Sequence, residues 1–165
     1  MDKRHRDISA LLSNVARWIS GFGLLLMALI IGWQVFARYV LNDSPAWSEQ
    51  AALLLMIWYV MLAAAAGVRE DFHIRISVFA DAFPGAAGKA VRILAHSVVG
   101  LFGAGMVIWG TELAVTTWSH AIPTLALPRG VAYIPIPLSG LLIIGFSIEH
   151  ILAEARNREV TRTWS

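Results

Sequence analysis

Four stretches of this chain each run the thickness of a bilayer without a charge. Between Arg17 and Arg38 lie 20 residues with no Asp, Glu, Lys or Arg, and the windows 50–68, 93–111 and 130–148 are uncharged over 19 residues each. At ~1.5 Å rise per residue, each window spans roughly 28–30 Å as a helix, matching the ~30 Å hydrocarbon core. No water is present there to satisfy the backbone, so helix is the conformation each window takes. Soluble folds rarely bury four helices of that length. The spacing therefore predicts an all-α integral membrane protein, a four-helix bundle with spans near 16–38, 46–68, 92–118 and 131–152 in a single membrane domain over 1–165.

Composition agrees and narrows the function classes. At 165 residues, 58% hydrophobic and only 15% charged, the chain is far more apolar than a soluble domain and long enough for one domain. It has no cysteine, which excludes disulfide frameworks, Cys-based zinc sites, iron–sulfur clusters and a thiol nucleophile. A pI near 9.4 is compatible with nucleic-acid binding. The basic residues, however, lie in short segments between apolar runs, a placement set by membrane topology rather than by a phosphate-binding face. The first window follows Lys3, Arg4 and Arg6 like a signal peptide, but its apolar run exceeds the ~7–15 residues of a signal core and no small-x-small cleavage site follows. A retained first helix is expected.

Lysine and arginine also predict orientation. Eleven lie in the amino-terminal segment, the middle loop and the tail, whereas the other two connecting segments hold only Arg38 and Arg129. Both termini and the middle loop should then be cytoplasmic. Trp47, Trp118 and Tyr133 fall near the outer interface and Trp18 near the inner one, as an aromatic belt requires, while Trp58 and Trp109 fall mid-membrane as packing residues. Before the second span, Ser44 is placed as N-cap and Pro45 as first helical residue, with Glu49 one turn in, where the helix dipole favours a carboxylate. In the middle loop Ile76, Phe79 and Phe83 share one side, with Ser77 and Asp81 opposite, which predicts a short interfacial helix stopped by Pro84-Gly85. The third apolar region continues past Glu112 to Trp118, so that helix is long and tilted or extends beyond the bilayer. Small residues four apart (Ala28/Gly32, Ala63/Gly67, Gly100/Ala104, Gly110/Ala114) allow close helix approach.

Few residues could carry chemistry. Glu112 is the one carboxylate flanked on both sides by membrane-like sequence; it either lies in the outer interface or pairs with a neighbouring helix, or it takes a direct ion or proton role. His96 and His150 sit at similar depth near the cytoplasmic ends of their helices, where they are interfacial polar residues or, alternatively, haem ligands. Arg69, Glu70, Asp71, His73 and Arg75 mix both signs and read as a solvated loop. No Ser/His/Asp spacing, phosphate-cradling loop or HExxH pair is present, so no enzyme activity is expected. The midplane stretches are almost wholly apolar, whereas secondary transporters place polar groups there. A supporting role in a transporter fits, against a haem-anchoring oxidoreductase subunit or a small self-assembling exporter.

Two stretches sharpen this. Phe36-Ala37-Arg38-Tyr39-Val40, Pro45-Ala46-Trp47-Ser48-Glu49 and the helix ending at Gly67, followed by Arg69 and His73-Ile74-Arg75, form the first. Pro123-Thr124-Leu125-Ala126-Leu127-Pro128, with Tyr133, Pro137 and Gly140, forms the second. Together they resemble the small membrane subunit of tripartite ATP-independent periplasmic (TRAP) transporters, the DctQ-like family, over roughly residues 15–152. Gln50 stands where that family commonly has a second acid, and Arg129 where it is usually apolar. The resemblance implies a multi-pass protein of the bacterial inner membrane with no reaction and no cofactor of its own. It also implies a large membrane subunit that carries sodium-coupled transport, and a periplasmic solute-binding protein that delivers a carboxylate-bearing, C4-dicarboxylate-like solute. The small subunit would brace the large one and help dock the binding protein. Arg38, Trp47, Glu49, Pro128 and Tyr133 become candidate subunit-contact or anchoring residues. Arg38 and Glu49 either reach water separately or as an exposed pair, or they pair in a partly dehydrated seam within this chain or against the large subunit. The solute itself would be chosen by the partner proteins.

Overall fold

The structure, a computed structural model, describes residues 3–70 and 86–155, with side chains for 9–70 and 87–155. It contains four long helices: α1 (Lys3–Val40), α2 (Ala46–Arg69), α3 (Ala86–Thr116) and α4 (Pro135–Ala155). All four are long and apolar enough to cross a membrane. α1 has 38 residues, roughly 57 Å at 1.5 Å per residue, so part of it must project beyond a ~30 Å core. The interfacial helix expected around Ile76, Phe79 and Phe83 lies outside the described residues.

The turn from α1 to α2 departs by one residue from expectation. Asn42 takes a left-handed conformation (φ 53°), which asparagine tolerates, and the Asp43 amide reaches back to the Ala37 carbonyl at 3.1 Å. Ser44 does not cap α2. Pro45 occupies the N-cap with extended backbone and no side-chain cap bond, while the Ser48 hydroxyl donates back to the Pro45 carbonyl at 2.7 Å. Glu49 keeps its place in the first turn.

The helices form a row rather than a closed bundle. Among the described residues α1 packs on α2, α2 on α4 and α4 on α3, and α1 has no substantial contact with α3 or α4. Chain connection explains the order: the short turn at 41–45 makes a hairpin of α1 and α2, residues 117–134 make another of α3 and α4, and the hairpins meet along α2 and α4. α4 is the most enclosed span, with 39% of its window buried against 6% for α1 and α3. Most of the surface of the two flanking helices therefore faces the surroundings of the chain.

Lipid tails are as apolar as leucine, so close van der Waals contact decides where such helices cross. Gly103 of α3 faces Gly140 of α4 so closely that a Cβ on Gly140 would meet the Gly103 carbonyl oxygen at 2.7 Å. Gly100 and Gly110 also turn toward α4, at Ser147 and Ile136. Gly32 of α1, by contrast, has open space beside it.

At the Trp118 end the second resemblance stretch is a small β-hairpin. β1 (Ala121–Ile122) pairs antiparallel with β2 (Leu127–Pro128), Ala121 opposite Pro128, and Ala126 takes φ 51° in the turn. A 3-10 turn, Arg129–Ala132, leads into α4, whose first residue Pro135 needs no amide partner. Trp58 is tied to this segment. Its side chain leans toward the start of α2, as helix geometry dictates, and its indole N–H donates to the Val131 carbonyl at 3.2 Å.

Candidate functional site

At the opposite end, charged side chains are buried where the helices converge. Arg69 and Glu70 end α2, and both are buried (2% and 3% exposed), as is Glu149 of α4 (5%). The expectation of a solvated loop is thus overturned for Arg69 and Glu70; Asp71, His73 and Arg75 lie outside the described residues. α2 and α4 run the same way, so Arg69, just past the second uncharged window, meets Glu149, just past the fourth.

The contacts of this layer link every helix. The Arg69 Nη1 lies 3.4 Å from Glu70 Oε1, and its Nε lies 3.9 Å from Glu149 Oε2. Ser13 of α1 donates to the same Glu70 oxygen at 3.4 Å. From α4, His150 Nε2 bonds the Arg69 carbonyl at 3.0 Å, and the His150 ring stacks on His96 of α3 with centroids 4.5 Å apart and planes 7° apart. A backbone carbonyl can only accept, so His150 Nε2 is the donor. It caps the last turn of α2, where orphan carbonyls and the helix dipole favour a donor. Just beyond, Arg92 pairs with Glu154 at 2.7 Å, and the Lys89 ammonium donates to the Ala155 carbonyl at 3.1 Å.

The layer is incompletely satisfied. Among the described residues, Arg69 Nε and both carboxylate oxygens of Glu149 have no hydrogen-bond partner. Charges removed from water gain little net stability from a loose pair, yet removing one partner leaves the other uncompensated. The charges thus constrain one another where the helix ends meet. Among the described residues no group of three or more His, Cys, Asp or Glu could hold a metal ion.

The residues singled out from sequence scatter otherwise. Arg38, Trp47 and Glu49 are exposed near the α1–α2 turn, and no bond joins Arg38 to Glu49. Pro128 and Tyr133 are half-buried, in the hairpin and at the end of the 3-10 turn. Glu112 is exposed on α3. His96 and His150 are brought together; the Arg69–Glu149 pair was missed, because its partners stand 80 residues apart in the chain. The available signal was opposite charges at matching window ends.

The family model described as tripartite ATP-independent periplasmic transporters, DctQ component, matches residues 27–157. The sialic acid TRAP transporter small permease protein SiaQ of Vibrio cholerae is 22% identical over 141 residues, 86% of this chain and 82% of that protein. The ectoine TRAP transporter small permease protein TeaB of Halomonas elongata is 25% identical over 152 residues, 91% and 77% of the two chains. The isethionate TRAP transporter permease protein DctMQ of Oleidesulfovibrio alaskensis is 27% identical over 132 residues, 74% of this chain but only 21% of that longer protein.

Proposed function

Because this chain belongs to the DctQ component family of tripartite ATP-independent periplasmic transporters, as a small permease subunit of the inner membrane, we propose that it braces the large transport subunit and helps dock a periplasmic solute-binding protein. One observation carries the reading. The buried charges gather in a layer at one end of the row and bond helix to helix, while the glycine-lined α3–α4 crossing between the two ends buries no charged side chain among the described residues, its polar contact being the Ser147 hydroxyl beside Gly100. A polar solute finds no lined path across such a structure. The Arg69 end faces the cytoplasm on the charge distribution of the sequence, which puts the β-hairpin on the periplasmic side, where a binding protein would dock. The relatives' names carry sialic acid, ectoine and isethionate; an organic-acid-like solute for this chain's transporter is part of the proposal.

The subunit acts without enzyme activity or cofactor of its own in this reading, with sodium coupling in the large partner. The stacked His96–His150 geometry argues against the haem alternative. His150 uses Nε2 on the Arg69 carbonyl and its ring lies face to face with His96 at 4.5 Å, so both rings are engaged with the protein itself. Reconstitution tests the reading: the purified chain alone should move no solute and show no Soret band, and uptake should need both the large subunit and a binding protein. Sodium-dependent uptake by this chain alone would sink it.

A further inference from the structure

We propose that the groove along the outward face of α3 seats one transmembrane helix of the large subunit, with a basic side chain of that helix opposite Glu112. The inference rests on the subunit reading above and adds to it which surface makes the contact.

The groove has a volume of about 510 Å³, and its walls include Val98, Leu101, Gly105, Trp109 and Leu113 of α3 and Ile136 of α4. Trp109 folds back over Gly105, where a Cβ would lie 2.8 Å from the ring, so the indole forms a wall instead of filling the space. Helix packing needs a groove to receive a neighbour's ridge of side chains. The outward face of α1 also exposes bulky residues, among them Trp18, Phe22, Leu25 and Leu29.

Charge selects the occupant. Glu112 lies seven residues after Gly105, two helical turns along the same face, and is exposed with no ion pair among the described residues. A carboxylate at the rim of a membrane groove is favoured by a facing cation, which a helix with lysine or arginine supplies. A relative supplies the kind of partner: in the permease protein DctMQ the stretch matching this chain is about a fifth of a longer permease chain, so small-subunit sequence is there covalently joined to a larger membrane partner.

The test uses the complex co-expressed in cells, with the tagged wild-type chain first shown to retain the large subunit in mild detergent. Failure at that step defeats the subunit reading itself. A photoreactive phenylalanine is then placed at Leu101 in the groove, or at Leu25 or Leu29 on α1. The expected result is a covalent adduct with the large subunit from position 101 and none from 25 or 29. Glu112→Lys should reduce the retained large subunit about tenfold, since like charges across an interface repel, and Glu112→Gln should reduce it less. Adducts from α1 instead of α3, adducts between two copies of this chain, or lipid adducts alone at position 101 in an intact complex would each overturn the proposal. So would full retention by Glu112→Lys. Should that variant misfold, the photoadducts, made with Glu112 intact, still decide.

Discussion

His150 donates from Nε2 to the backbone carbonyl of Arg69 at 3.0 Å, so one helix pair is fastened at the last turn of α2 by a side chain 81 residues away. The same histidine stacks on His96, which makes α4 the common support of α2 and α3 at this end. Replacing His150 by Phe keeps a flat ring for stacking and removes the donor. The buried carbonyl left behind should destabilise the protein by about 1–3 kcal/mol. A thermal unfolding midpoint in detergent equal to wild type would show that the bond contributes nothing.

The Arg69 layer predicts an asymmetry. Arg69→Gln removes the cation that lies beside both buried carboxylates, Glu70 and Glu149, at a cost of about 3–5 kcal/mol. Glu149→Gln leaves Arg69 with Glu70 and removes a charge whose oxygens make no hydrogen bond, so it should be close to neutral. Unfolding of the two variants in parallel checks this. Equal losses, or a larger loss for Glu149→Gln, would contradict the assigned geometry.

The crossing of α3 and α4 should be intolerant of any side chain at Gly140, since a Cβ there meets a backbone carbonyl that cannot rotate away. Gly140→Leu should separate the helices and lower stability by about 1–3 kcal/mol, as overpacked cores do. Gly32→Leu, with open space around it, serves as the control and should unfold like wild type.

How much of this was legible from sequence depends on the distance between the groups involved. The four spans were legible because uncharged windows of 19–20 residues match the bilayer thickness directly. The row order was not, because it depends on which helix faces touch, and small residues occur on both contacting and open faces: Gly110 meets Ile136, while Gly32 meets nothing. The Trp58–Val131 bond joins residues 73 apart, and its indole could not be distinguished from a packing tryptophan by position alone. Arg69 and Glu70 looked solvated because they open a mixed-charge run, and only the position of Glu149 at the matching window end pointed to burial.

Orientation remains a prediction of the charge split, and the absence of cysteine makes it simple to test. Single cysteines at Ser9, Asp43, Ala86, Ala126 and Thr161 should divide cleanly. With the outer membrane permeabilised, an impermeant thiol reagent should label positions 43 and 126 in whole cells and leave 9, 86 and 161 unmodified until the inner membrane is opened. Labelling of position 9 or 161 from outside would reverse the topology and with it the periplasmic placement of the hairpin.

The last prediction concerns Arg38 and Glu49, which flank the α1–α2 turn. Both are exposed and no bond joins them, so within this chain they form no seam. Exposed single charges contribute little to the stability of the chain itself, and neither Arg38→Gln nor Glu49→Gln should shift its unfolding. Any role must then be exerted on something outside the chain. If they face the large subunit, each substitution should weaken its retention on the tagged small subunit and slow solute uptake in cells. The charge-swapped double variant, Arg38→Glu with Glu49→Arg, distinguishes the two geometries. Partners in direct contact would recover part of the loss on swapping, whereas two residues that each meet a different group on the large subunit would lose more. With no bond joining Arg38 to Glu49, recovery on swapping is not expected. Normal retention and uptake by both single variants would instead make the two charges simple interfacial anchors beside Trp47.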